Sequence, residues 1–213
     1  MNRSRHELCG RYLCLTSDAG QQGMKEDTTT FCALIRNRSD ENRRAMRYFR
    51  IPHDVLSPAF SILRQELDSM IRVIYLLSIK DLTERQRLIQ STLRGEKWKV
   101  LTARGRHHDV TDREMVGLAQ QLQGWTQSVY RFGCAFVHLS DFHNHLAENP
   151  FGKLPDAERQ HILSHMRHYH GGPYGDNPDM KELAAYLPQV FEKIADNLRC
   201  YLEELERGET KDT

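Results

Sequence analysis

An arginine and a histidine stand seven residues apart in the stretch Tyr130 to His145, YRFGCAFVHLSDFHNH, and both side chains suit chemistry at a phosphate. The imidazole of His138 is the side-chain type suited to moving protons near neutral pH. The planar guanidinium of Arg131 carries a fixed charge on a fork that matches phosphate oxygens. Nearby residues could assist. Ser140 offers a hydroxyl donor, Asp141 a carboxylate able to orient the His138 ring, and His145 a further imidazole on the same heptad step.

A helix must position this pair. Seven residues span about two turns, which leaves the two side chains about 20° apart on one face and roughly 10 Å apart along the axis. The opposite sector of the same pattern holds Leu118, Leu122, Trp125, Val129, Phe132, Phe136 and Leu139, the expected core face. Arg131 and His138 therefore point away from the core, whereas His143 falls on the apolar sector and suits a core histidine. Thr111 and Glu114 have capping-box spacing, so the helix is expected to run from Thr111 to about Leu146. Gly117, Gly124 and Gly133 lie inside it, each costing about 1 kcal/mol against alanine, and call for close helix approach or a local bend.

The remaining chain reads as further helices. Residues 1–27 lack periodicity and form an expected flexible N-terminal arm. Thr28 to Arg50 is helical with a charged centre, RNRSDENRR, whose interleaved acids favour a solvated face over phosphate tracking. Ser57 and Pro58 open a helix to about Asp81, apolar on more than one stripe as a central bundle helix would be, with Glu66, Asp68 and Arg72 as its polar side. Thr83 and Gln86 resemble a second capping box. Glu96 to Val110 reads as a loop, with or without a short helix. Its cations beside an aromatic suit a nucleic-acid strand, though Trp98, Val100 and Leu101 more simply pin the loop to the core. Helices from Pro155 to Gly171 and from Asp179 to about Glu206, bent at Pro188, complete a domain over 28–207, with 208–213 as a C-terminal tail. No stretch alternates as a strand. The architecture is all-α, an up-and-down bundle of four or more helices.

Composition narrows the function classes. The chain has 213 residues, 39% hydrophobic content and a formal charge of +1, so no bulk field draws in nucleic acid or membrane and any polyanion site is local. Five cysteines without a CxxC pair indicate a reducing, cytoplasmic setting. No apolar run is long enough to span a membrane, and a soluble protein is expected. Of the eleven histidines, His161, His165, His168 and His170 share one helix, but HILSH has Ile162 where the metalloprotease signature has glutamate. Surface or interface histidines are the favoured reading over a metal site. No glycine-rich phosphate loop occurs, and neither metal nor cofactor is expected.

The all-α pattern together with Arg131, a six-residue gap and His138 resembles the HEPN superfamily, whose hallmark is such a pair on a late bundle helix. The resemblance covers residues 28–207 in helix order, with its specificity in two positions. It implies a metal-independent endoribonuclease acting as a homodimer, in which motifs of two subunits meet. His138 would transfer protons as RNA is cut through its own 2′-hydroxyl, and Arg131 would stabilise the phosphate. Such proteins include toxins, whose partners are antitoxins, and antiphage effectors. Ser140 stands where toxins paired with a minimal nucleotidyltransferase carry a tyrosine. The alternative is a non-catalytic HEPN-like module that binds RNA or protein.

Overall fold

In the computed structural model, the described residues are 6–48, 56–102 and 105–212. Helix α1 spans His6–Tyr48, so the described backbone is helical well before the expected start at Thr28. Phe31, Cys32, Ser39, Asn42 and Met46 fall at helical spacing, with the partly buried Ile35 between them, and are buried as one face. The charged centre does not break this helix, because its two buried polar residues have a partner. That partner is on α2, Leu56–Ser78, whose Glu66 is fully buried, accepting from Asn42 Nδ2 at 3.0 Å and from the Ser39 hydroxyl. Glu66 is thus part of the core and not of a polar surface. The rest of α2 meets the expectation of a central helix: Leu67, Met70, Ile71, Val73, Ile74, Leu76 and Leu77 have no exposed surface.

Helix α3, Leu82–Leu93, is capped two positions earlier than the sequence suggests, with the Asp81 carboxylate accepting from the Thr83 and Glu84 amides. Gln86 instead turns to α1, donating to Asp27 at 2.9 Å. The expected loop at Glu96 to Val110 contains a short antiparallel hairpin, β1 (Lys99–Leu101) and β2 (His107–Asp109), with Val100 opposite His108. Trp98 pins its base. The ring is buried and its Nε1 donates to Thr92 Oγ1 at 2.8 Å, while Leu101 stays exposed.

The single helix expected from Thr111 to Leu146 is instead two helices, α4 (Asp112–Gln123) and α5 (Thr126–Val137), each ended by a local device. The capping box of Thr111 and Glu114 opens α4 as expected. Gly124 closes it in the left-handed region, φ 71°, a conformation that favours glycine. Gln120 stitches the break by donating to Gly124 O at 2.7 Å and accepting from the Gln127 amide at 2.9 Å. Beyond Val137 the backbone at His138 is extended. Ser140 takes over, donating to Ala135 O at 2.7 Å and accepting from Phe142 N, which opens a 3₁₀ turn over Asp141–Asn144.

A second 3₁₀ turn, Phe151–Lys153, leads into α6, Asp156–His170, which stops at Gly171. The last expected helix also divides, into α7 (Met180–Ala184) and α8 (Leu187–Glu206). Pro188 sits in the first turn of α8, where its missing N–H costs nothing, so it starts this helix instead of bending a longer one. The tail is docked: Lys211 N donates to Leu77 O at 2.8 Å, and Arg85 donates to Glu209 O at 2.9 Å. Helix α2 lies against α1, α4, α5 and α8, forming the centre of a fold that, among the described residues, is all-α apart from the two-stranded hairpin. Among the described residues, no helix is long and apolar enough to cross a membrane.

The three glycines separate in role. Gly133 lets α5 close on α2, since a Cβ there would lie 2.6 Å from Arg64 Cβ. Gly117 lies exposed within α4 with nothing near its side-chain position. Gly117→Ala is therefore expected to stabilise the protein by about 0.5–1 kcal/mol, read as a higher urea midpoint at unchanged slope.

Candidate functional site

The end of α5 decides where the chemistry-bearing residues lie. Arg131 is in helical backbone and His138 is beyond it, in extended backbone at the helix's C-terminal boundary, so the two do not share one helical stripe. Both are exposed. The Arg131 guanidinium is paired with a carboxylate, its Nη1 lying 2.6 Å from Glu158 Oε1, and the Glu158 side chain is only 18% exposed. Glu158 belongs to the first turn of α6, where the helix dipole favours a negative group.

The expected helpers sit differently from the sequence reading. The Ser140 hydroxyl is engaged in the turn just described. Asp141 is exposed in the first position of the 3₁₀ turn. His145, not His143, is the half-buried imidazole: its Nδ1 is 3.0 Å from Phe142 O, its ring stands edge-on to Phe136 at 6.0 Å, and its Nε2 is buried without a partner. His143 is exposed and joins the Ser140 cap. Leu139, assigned to the core by helical periodicity, is 95% exposed because the helix has already ended. Phe136 and Trp125 are buried as expected.

A charge network behind α5 escaped the sequence reading. Arg64 on α2 places its guanidinium 4.2 Å from the Tyr130 ring centre and reaches Asp112 at 2.9 Å and Asp68 at 3.7 Å. Arg72 bridges the same two carboxylates, and Arg38 reaches Asp68 at 3.5 Å. Burial works against the charge on Arg64, but Cys134, Asp68, Tyr130 and Asp112 outweigh it and raise the pKa. The i and i+4 spacings of Arg64, Asp68 and Arg72 were the available signal. These groups, three guanidiniums around two carboxylates, hold α4 and α5 on α2. Burial likewise pushes the Cys32 thiol up to about 12, which removes it as a nucleophile near neutral pH.

Three of the α6 histidines, His161, His165 and His170, line an apolar cleft. His161 Nε2 is 3.1 Å from Gly124 O, His165 Nδ1 is 3.1 Å from His161 O, and the two rings are 4.5 Å apart. Among the described residues, no three His, Cys, Asp or Glu side chains are placed to hold a metal ion. No protein-family model, curated protein or solved structure matches the chain.

Proposed function

We propose that the protein is a metal-independent endoribonuclease of HEPN type, with His138 moving the proton and Arg131 stabilising the phosphate. The observation that supports this most is the pairing of an exposed imidazole at the end of α5 with an exposed guanidinium about two turns before it. In-line cleavage through the 2′-hydroxyl requires proton transfer and charge stabilisation, which these residue types supply. Asp141 is the exposed carboxylate closest in sequence to His138, and Ser140 and His145 shape the turn that carries the imidazole. Val137 and Leu139, 53% and 95% exposed, flank His138 with apolar surface that a second copy would cover. The active species in this reading is a homodimer with the motifs at its interface, and an antitoxin or other regulatory protein would restrain it.

The ion pair to Glu158 favours a second reading, a non-catalytic module that binds RNA or protein, because the cation is already matched. The two readings separate on an RNA oligonucleotide and its 2′-deoxy counterpart. The nuclease cuts only the RNA and leaves a cyclic phosphate end; intact RNA bound by a dimer supports the module. Glu158 competes with phosphate for Arg131 in either case. Glu158→Gln is expected to tighten RNA binding about 2- to 5-fold at low salt, the scale of a partly exposed ion pair, measured by fluorescence anisotropy.

A further inference from the structure

We propose that the cleft between α5, α6 and α8 binds a small apolar molecule bearing one anionic group, such as a short-chain carboxylate. Its floor is apolar: Phe60, Leu63, Trp125, Phe132, Leu187 and Val190 line it. Its polar rim consists of nitrogen-bearing groups, His161, His165, His170 and Lys193, with the Ser128 and Tyr169 hydroxyls, and no carboxylate lines it. A cavity of about 100 Å³ fits a chain of a few carbons, the scale at which an apolar cavity of about 150 Å³ accepts benzene.

The rim groups divide by commitment. His161 and His165 each have a ring nitrogen at a backbone carbonyl, which fixes the α6 wall. Lys193 comes from α8 and meets the end of α6 that carries Tyr169 and His170, its ammonium 5.3 Å from the centre of the Tyr169 ring. Burial, and then the neighbouring Lys193 charge, lower the His170 pKa, so the positive charge at this end belongs to Lys193. An anionic head at the ammonium leaves its chain to the apolar floor. A cationic head meets the same ammonium as a like charge, and a neutral alcohol gains only the apolar floor. The charge asymmetry therefore selects the ligand class.

The test is calorimetric titration of the full-length protein with hexanoate, hexylamine and hexanol. Saturable binding of one hexanoate is expected, with hexylamine about tenfold weaker or undetectable. Lys193→Met is expected to weaken hexanoate about tenfold and leave hexanol unchanged, while Val190→Trp fills the cleft and removes binding of both. Thermal melts of each variant establish that it is folded. Absence of hexanoate binding, equal binding of hexylamine, or unaltered hexanoate affinity in a folded Lys193→Met protein overturns the proposal. RNA cleavage plays no part in this test, so the outcome stands whether or not the ribonuclease reading holds.

Discussion

His138→Ala is expected to lower the rate of RNA cleavage by about 10²- to 10⁴-fold, the usual contribution of one proton-transferring side chain. At 1.36 kcal/mol per decade this is about 3–5 kcal/mol of lost transition-state stabilisation. The fold is expected to tolerate the change. His138 is exposed and lies past the last turn of α5, and substitutions at such positions usually shift stability by no more than about 0.5 kcal/mol. Catalysis and folding are therefore separable at this residue. Single-turnover cleavage assays beside a thermal melt make the measurement. A folded variant with wild-type rate removes His138 from the chemistry, and equal loss of rate and melting temperature assigns it a structural part instead.

Glu66→Ala is expected to produce the largest change in stability, lowering the free energy of unfolding by about 2–4 kcal/mol. The carboxylate is fully buried between α1 and α2 and satisfies the Ser39 hydroxyl and the Asn42 amide. Removing it leaves two buried donors without an acceptor and opens a void where the side chain was. Urea unfolding of Glu66→Ala, Asn42→Ala and the double variant reads both the cost and the coupling. The double variant should lose less than the sum of the single ones, since the partners no longer strand each other. Additive losses, or a Glu66→Ala cost below about 0.5 kcal/mol, contradict the buried network.

The sequence carries some of this arrangement openly and hides the rest for identifiable reasons. Helix α2 was legible because its apolar residues repeat at three and four over many turns and on more than one stripe. The interaction that fixes its depth was not, since Glu66 meets residues 24 and 27 positions earlier and periodicity reports only local neighbours. The break at Gly124 is similarly contextual. Glycine is tolerated within a helix at modest cost, and what selects the left-handed turn here is the Gln120 side chain bonding to both sides of it. Ser140 was the overlooked stop signal: a serine followed by aspartate is a good start to a new turn, and its hydroxyl also takes a carbonyl from the end of α5. That one misreading moved His138 off the helical stripe and Leu139 out of the core. The hairpin escaped because its strands are only three residues each, too short to show alternation. Arg131 was correctly read as facing outward, but its carboxylate partner arrives from α6, and nothing near Arg131 in sequence announces Glu158.

Cleavage of mixed cellular RNA in excess chelator by the purified protein, beside Arg131→Ala and His138→Ala of verified fold and oligomeric state, tests the central claim most directly. The account predicts chelator-resistant cleavage by the wild type and its loss in both variants. Cleavage that either folded variant retains at the wild-type rate, or that chelator abolishes, contradicts it.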